Sequence, residues 1–386
     1  MKGFILSFLA LILGSVGSFG VVTYVKLPQT DVLEVHEEVY YSNKTGEISS
    51  SHADVSLDEA EVSVHFLELG NKYTGDCTYI KTPDADILID CGSKSNSIAT
   101  VSSYLNKYVT DGTLEYVIVT HAHQDHYAGF ATTTKIESIF DLYECENIIT
   151  FAKTNQKSTA KMYNNFVREL ADEEANGANV MTAQECIEGT NEFALSDTVT
   201  LEILDSYYYT HDAHTENDYS VCCLVKQEYT ENSETKYRNF LFTGDLEADG
   251  EEYLVQMNTL PVVDLYKAGH HGSKTSSTAA LIDVIKPKTV CVCCCAGSPE
   301  YTKVDVNQFP TQIFLDNVSK YTTEIYVTTL CIDYDNNEFT SLNGNIVYLV
   351  NSVGEYDVEC SNNNTILKDT DWFKEHRQWN GISSTS

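Results

Sequence analysis

Residues 121–126 read His-Ala-His-Gln-Asp-His, which gathers three imidazoles and a carboxylate within six positions. They follow directly on Leu114–Thr120, a continuous apolar run of the kind expected for a strand buried on both faces. The segment therefore opens at the mouth of a strand-to-helix turn. Alternate residues of an extended segment point the same way, so His121 and His123 can grip one ion together. Asp125 and His126 lie where the chain turns and can reach a second ion. Imidazole and carboxylate without thiolate suit zinc, and suit manganese or iron less well. A lone histidine is more often a surface or packed core residue, but four potential ligands in six positions are very hard to explain as packing.

Two further strand ends carry the same residue types. Phe242-Thr243-Gly244-Asp245 closes an apolar run with an aspartate, whose two oxygens can bridge a pair of ions about 3.5–4 Å apart. Alone, the tetrapeptide reads as a turn. Lys267-Ala-Gly-His270-His271-Gly-Ser-Lys274 sets paired imidazoles between glycines, which allow a tight loop with the backbone close to a ligand. One histidine would complete the second ion's ligands and the other would hydrogen-bond a substrate oxygen. Lys267, Ser273, Lys274 and Thr275 add cationic and hydroxyl donors, unusual in so acidic a chain. No Gly-x-Ser-x-Gly nucleophile motif occurs.

The elements that must position these groups alternate along the chain. Strands are expected at Val64–Gly70, Asp76–Thr82, Asp86–Gly92 and Leu114–Thr120, with a helix over Ser95–Val109 and another over Met162–Gly177 closed by glycine. The second half reads as strands at VTLEILDS, YSVCCLV, RNFLFTGD and VVDLYKAG. A short helix LIDVIK, the strand TVCVCCCAG, the helix TQIFLDNVSKY and the strands EIYVTTL and NIVYLV follow. Strand-rich blocks flanked by helices in both halves suggest sheet packed on sheet with helices outside. No period of 20–50 residues indicates a solenoid.

The 386 residues are 42% hydrophobic, enough for one large domain or two ordinary ones and too apolar for a wholly disordered chain. With 24 basic and 57 acidic side chains the net charge is −33. That argues against a sequence-independent DNA coat, whose affinity comes from cationic side chains. It leaves room for a phosphate substrate at a metal site, where the ion supplies the positive charge.

Gly3–Val25 carries no charge and reaches about 35 Å as a helix, which is enough to cross a bilayer core. Residues 1–26 are expected to be a membrane anchor or a cleaved signal peptide, with the remainder extracytoplasmic. Residues 27–61 read as an acidic, solvated linker, 62–379 as the folded domain and 380–386 as a disordered tail. The twelve cysteines allow disulfides in an exported chain. Cys222 and Cys223, and Cys291 with Cys293–Cys295, instead read as small apolar residues of buried strands. Cys77 and Cys91 flank a hairpin turning at Pro83–Asp86. A turn centred on Asp84 sets them opposite one another, either as a disulfide or as two packed thiols.

Three strand ends bearing histidine and aspartate in this order resemble the metallo-β-lactamase superfamily of binuclear metallohydrolases. More narrowly, the chain is similar to the hydrolase domain of ComEC-type competence proteins and their stand-alone exported relatives. FLELG…GDCTYI, ILIDCG, THAHQDHYAG, ENDYSV, FLFTGDLE, DLYKAGHHGSKTSS and the tail LNGNIVYLV…LKDTDWFKEHR carry the likeness over about Val62–Trp379. The resemblance implies an α+β fold, an αββα four-layer sandwich of two mixed β-sheets flanked by helices. It implies two divalent ions, zinc or alternatively manganese. His121 and His123 would bind the first, and Asp125, His126 and His271 the second, with Asp245 bridging. His270 would touch substrate or transition state, and Asp90 would support the site from behind. Many superfamily members have a further ligating histidine in a glycine-rich turn. Here that region reads YTHDAHTENDYS, and His211, His214 and Asn217 stand outside the expected ligand set.

The expected chemistry is hydrolysis by a water whose pKa the ions lower toward neutrality, attacking carbonyl carbon or phosphorus. His270 would help stabilise the oxyanion, and Asp125 would orient the nucleophile or take up a proton. The substrate class expected first is a phosphodiester, in nucleic acid or a surface polymer, with transient nucleic-acid contact. The alternatives are ester, thioester or lactam hydrolysis, or a non-catalytic metal-binding surface module. Beyond substrate and membrane, no protein partner is inferable.

Overall fold

The computed structural model describes residues 52–133, 135–157 and 159–383. The apolar N-terminal run and most of the acidic stretch expected as a linker lie outside the described residues. The last ten residues of that stretch do not behave as a linker. Val55 is buried, Ala53 donates its N–H to the Tyr356 carbonyl at 3.0 Å, and His52 Nε2 lies 2.8 Å from the Glu324 carboxylate. The tail is likewise held as far as Ile382, whose N–H donates to the Ser319 carbonyl at 2.8 Å.

Period-two burial builds two sheets of eight strands each. The first collects β1 (Ala60–Phe66), β2 (Thr78–Lys81), β3 (Asp86–Ile89), β4 (Thr113–Val119), β5 (Glu144–Thr150) and β6 (Asn179–Thr182). The second collects β7 (Glu192–Ala194), β8 (Val199–Ile203), β9 (Cys223–Glu231), β10 (Glu234–Phe242), β11 (Leu265–Lys267), β12 (Thr289–Ala296), β13 (Glu324–Asp333) and β14 (Glu338–Ser341). The chain then returns to the first sheet as β15 (Ile346–Asn351) and β16 (Tyr356–Cys360), with β15 antiparallel to β1. Both sheets are mixed. β3 to β6 run parallel in one, and β10 to β13 in the other, with antiparallel strands beside them.

Helices cover the outside. α1 (Ile98–Leu105), the single turn α2 (Gln124–Tyr127), α3 (Ile139–Leu142), α4 (Lys161–Asn176) and α5 (Ala183–Glu188) belong to the first half. α6 (Ala248–Met257), α7 (Ala279–Ile285), α8 (Gln312–Val318) and α9 (Asp371–His376) belong to the second. α4 ends where Gly177 enters the left-handed region at φ 114° and its N–H caps the Glu173 carbonyl, the stop the sequence predicts. β11 is only three residues long, because Val262-Val263-Asp264 ahead of it is taken up in a connection.

The cysteines follow the sheet period. Cys291 and Cys293 join the apolar core between the sheets, with Val62, Val64, Phe66, Cys223 and Phe242. Val292 and Cys294, one residue out of step, join the outer core under α6 to α9, with Leu254, Ile282, Phe314 and Trp372. β12 is thus buried on both faces and thiols fill it as small apolar groups. All twelve cysteines are free. β2 pairs with β3 through Thr78 and Ile89, which sets Cys77 one step out of register with Cys91. These are the two packed thiols of the alternatives, and they touch one another.

Candidate metal centre

Parallel strands deliver their carboxyl ends to one edge of each sheet, the place where such sheets present ligand-binding loops. β4 ends at Val119, Thr120 follows, and His121 comes next in extended backbone. His123 is the N-cap of α2 (φ −93°, ψ 145°), and the single turn carries Asp125 and His126. His121 and His126 are fully buried. From the other sheet, Gly244 at φ 53° turns the chain out of β10 into Asp245. A methyl group on Gly244 would crowd Ser220 and Thr120. His270 and His271 both sit in the left-handed region, at φ 45° and 54°, a conformation that costs of order 1–3 kcal/mol per residue. The His270 N–H donates to the Gly244 carbonyl at 3.2 Å and locks this loop to the Asp245 turn. The sheets join here as well, where the Val221 N–H donates to the Thr120 carbonyl at 2.9 Å.

Four side chains converge. One ligand atom from each of Asp76, His126, Asp245 and His271 lies within 4.8 Å of all the others, and all four residues are buried. His126 Nε2 is 3.1 Å and His271 Nε2 3.3 Å from Asp245 Oδ2, and His271 Nε2 is 3.6 Å from Asp125 Oδ2. Neighbouring ligand atoms in a tetrahedral site with bonds of about 2.0–2.1 Å stand roughly 3.3 Å apart. Beside this group, His121 Nε2 and His123 Nδ1 face each other at 3.0 Å, and the His121 and His126 rings are 4.2 Å apart.

The far sides of the imidazoles are held. His126 Nδ1 lies 2.7 Å from Asp90 Oδ2, while Asp90 also accepts the Thr120 N–H and hydroxyl at 2.7 Å each. His271 Nδ1 lies 3.0 Å from the Cys293 carbonyl and 3.1 Å from Asp76 Oδ1. Each Nδ1 thereby donates backward, which leaves each Nε2 facing the cluster. Both Nε2 atoms are buried without a hydrogen-bond partner.

Charge gives the same picture. Burial would raise the carboxyls of Asp76 and Asp245. The charges of Lys267 and His271 on Asp76, and of His126 and His271 on Asp245, outweigh it and hold both below the usual range. Burial opposes the low value of Asp125 as well, and the hydrogen bond from His271 overcomes it. Burial drives His121 far below its ordinary value, leaving a neutral imidazole. Burial would lower His126 and His271, but the same carboxylates outweigh it and hold both imidazoles well above their ordinary value, so with no ion bound the three carboxylates are balanced by the Lys267 ammonium and two protonated imidazoles. Carboxylates held ionised beside two imidazoles whose cluster-facing protons an ion can displace are what a divalent cation fits.

The structure therefore brings together His121, His123, Asp125, His126, Asp245 and His271, and sets Asp90 behind His126. His270 stands at the rim, with Nε2 at 4.0 Å from Asp245 Oδ2 and Nδ1 at 3.2 Å from Glu247 Oε1. His211 lies away from the cluster, exposed and stacked on Tyr207 at 3.8 Å, and His214 is exposed. Asn217 reaches Glu247 Oε1 at 3.0 Å and His270 Nδ1 at 3.4 Å.

Lys267 corrects an expectation. It is buried and ion-paired with Asp76, so it is no donor toward substrate. Thr275 also turns inward and donates its hydroxyl to Glu247 at 2.9 Å. Sequence reasoning missed Asp76, Glu247 and Tyr301, whose hydroxyl donates to Asp125 Oδ2 at 2.7 Å. Asp76 had one signal: Gly75-Asp76 next to a short strand echoes Gly244-Asp245.

Residues 70–223 match the family model of the metallo-beta-lactamase superfamily, and the chain carries a domain of that hydrolase superfamily. It is 28% identical over 181 residues to ComE operon protein 3 of Bacillus subtilis, a match covering 46% of this chain and 20% of that protein. It is 35% identical over 77 residues to Recombination protein 2 of Haemophilus influenzae, covering 20% of this chain and 9% of that one. The chain thus spans a fifth or less of the length of these curated relatives. Among solved structures, the metallo-beta-lactamase fold protein YhfI of Bacillus subtilis aligns over 70% of this chain and 96% of its own, at 14% identity and a TM-score of 0.36.

Proposed function

We propose that the protein is a metal-dependent phosphodiesterase. The observation that carries this reading is the buried cluster of Asp76, His126, Asp245 and His271, with unpartnered Nε2 atoms aimed inward and His270 at its open rim. His126, His271, Asp245 and Asp125 would hold one ion, and His121 and His123 a second shared through Asp245. Divalent ions there would lower the pKa of a water molecule and neutralise charge on the reacting centre.

The protein's own groups do the rest. The Asp125 carboxylate orients the attacking water and accepts its proton as the new oxygen–phosphorus bond forms. Tyr301, donating to the same carboxylate, fixes its direction. In its imidazolium form His270 donates Nδ1–H to Glu247 and presents Nε2–H toward the site, where it can protonate the departing oxygen. Asp90 and Asp76 keep the two inner imidazoles in the tautomer the cluster requires.

Phosphorus is favoured over carbonyl carbon by two features. Lys72 and Lys94 stand on the loops that lead into Asp76 and out of Asp90 in an otherwise acidic chain, and the curated relatives are named for the ComE operon and for recombination, a nucleic-acid process. The reading extends to an extracytoplasmic location. It rests on the apolar run Gly3–Val25 as a membrane anchor or cleaved signal, outside the described residues. Among the described residues no helix is long and apolar enough to cross a membrane.

The test pairs metal content of the purified protein, by plasma mass spectrometry, with hydrolysis of bis-p-nitrophenyl phosphate. The expected result is about two equivalents of zinc or manganese with turnover, and loss of turnover in Asp245→Ala and in His123→Ala. Metal with turnover only on carboxylic esters or lactams would overturn the phosphodiester assignment. Undiminished turnover in both variants would overturn the paired-ion site.

A further inference from the structure

We infer that Lys72, Tyr73, Lys94 and Tyr334 form a subsite beside the hydrolytic centre that holds an adjacent phosphate and base of a single nucleic-acid strand. The inference rests on the phosphodiesterase reading and names its substrate class.

Two loops carry the first three residues, and both are clamped to the metal-centre backbone. The loop after β1 leads through Lys72, Tyr73 and Gly75 into Asp76, whose N–H donates to the Asp125 carbonyl at 3.0 Å. The loop after β3 leads from Asp90 through Gly92 to Lys94. A methyl group on Gly92 would run into the Asp125 backbone and one on Gly75 into Ser93, so neither loop can approach as closely with a larger residue. The Ser93 hydroxyl donates to the Asn71 side-chain oxygen at 2.9 Å and ties the loops to each other.

On this frame two ammonium groups alternate with two rings. Lys72 Nζ lies 4.0 Å from the centroid of the Tyr334 ring and 5.6 Å from that of Tyr73. Lys94 Nζ lies 4.8 Å from the Tyr73 centroid. The two rings meet edge to face, 6.4 Å apart at 90°. Lys72 also donates to the Tyr334 carbonyl at 2.5 Å, which ties Tyr334 to the frame. Lys72, Tyr73 and Lys94 are half-buried. Among the described residues neither ammonium has a carboxylate oxygen within 4.0 Å, whereas Lys81, Lys226, Lys267 and Lys288 all do. Two acids feel these charges: Asp333 that of Lys72, and Glu300 that of Lys94, with Glu300 engaged with the Thr74 N–H at 2.9 Å and its neighbour Tyr301 reaching Asp125. The cationic and aromatic groups and the metal centre therefore share one rim.

A chain with a net charge of −33 repels a polyanion at long range, so any strand it holds needs cations fixed at the contact. Ammoniums resting on ring faces keep free N–H donors for phosphate. The ring edges and faces between them offer stacking area to a planar base. A polyol phosphate would use the cations and leave the rings idle, and this distinguishes the two polymers.

The test is equilibrium binding of the full-length protein to a short phosphorothioate oligothymidylate across a salt series. Each phosphate contact on a single strand contributes about 0.7 to the slope of log K against log salt. The double variant Lys72→Ala/Lys94→Ala is expected to flatten that slope by about 1.4, and Lys72→Arg/Lys94→Arg is expected to keep it. Tyr73→Leu is expected to weaken binding about tenfold with the slope retained, since it removes stacking but no charge. An unaltered slope in the alanine double variant, with its thermal unfolding intact, would overturn the subsite. So would equal competition by poly(glycerol phosphate) in wild type and Tyr73→Leu. Strand binding that meets these expectations in a protein unable to hydrolyse bis-p-nitrophenyl phosphate would uphold the subsite and remove the catalytic reading instead.

Discussion

Asp76 has three neighbours whose behaviour depends on its charge. It pairs with the buried Lys267 ammonium, and its carboxylate stands 3.1 Å from His271 Nδ1 and 3.7 Å from His126 Nδ1. Taking one partner from a buried ion pair strands the other charge in a dry interior, which typically costs about 3–5 kcal/mol. Asp76→Asn is therefore expected to lower stability by roughly that amount in urea unfolding, with chelator present so that metal loss is not counted. It is also expected to weaken zinc binding about 10–100-fold, the usual effect of losing a group that orients a ligating imidazole. Glu247 differs, since its carboxylate meets the rim histidine, Asn217 and Thr275. Glu247→Gln should leave metal content alone and lower kcat by about 10–100-fold, with the alkaline limb of the pH profile displaced. A rise in KM with kcat unchanged would assign Glu247 to substrate binding instead. The contrast between these residues explains what could be read in advance. His121, His123, Asp125 and His126 were legible because their geometry is local to one strand end. Asp76 and Glu247 act through Lys267, His271 and His270, which reach them from distant sequence, and no spacing rule encodes that meeting.

Individual strands were legible where burial alternates cleanly, and misjudged where tertiary pairing decides. β12 splits Cys291 and Cys293 from Val292 and Cys294 between the two cores, as a run buried on both faces must. The β2–β3 turn was misplaced by half a step, because register follows the buried pairing of Thr78 with Ile89 rather than the symmetry of the turn. β1 holds a group no pattern marked. His65 is fully buried in the middle of the strand, with Nδ1 2.7 Å from the Tyr104 hydroxyl and Nε2 2.8 Å from the Ser63 hydroxyl, among the rings of Tyr79 and Tyr108. Burial, with a smaller push from Lys81, lowers its pKa from 6.5 to about 3. The unfolded chain therefore binds a proton at His65 between about pH 6.5 and pH 3 that the folded protein refuses. Its contribution is complete above pH 6.5 and is lost as pH falls toward 3. The acid slope of stability should lessen in His65→Gln by up to about 1.4 kcal/mol per pH unit over that range. Parallel slopes for wild type and variant in urea titrations would contradict the assignment.

Across the whole molecule, the two sheets meet at the cluster. Asp76, Asp90, Asp125 and the histidines of residues 121–126 come from the first sheet, and Asp245 and His271 from the second. Direct ties cross the joint at this end: Val221 N–H to the Thr120 carbonyl at 2.9 Å, the Tyr301 hydroxyl to Asp125 Oδ2 at 2.7 Å, and the Lys267–Asp76 ion pair. A cation held there is a cross-link between sheets, and its removal leaves Asp125 and Asp245 facing one another across the joint. Mass action sets the size of the effect. A ligand at a hundred times its Kd adds about 2.7 kcal/mol, which in a domain of this size moves Tm by roughly 4 °C. Chelation is therefore expected to lower Tm by at least that much and to cost both sheets their cooperativity together. Tryptophan fluorescence, which reports on Trp372 over the second sheet, should fall in step with far-UV circular dichroism. The gap between loaded and chelated protein should widen as pH rises from about 6 to 9, because the ion must displace protons from its imidazole ligands and does so more readily in base. A gap that narrows with rising pH, or a chelated protein whose two signals part company, would mean that the sheets are joined by their apolar core alone.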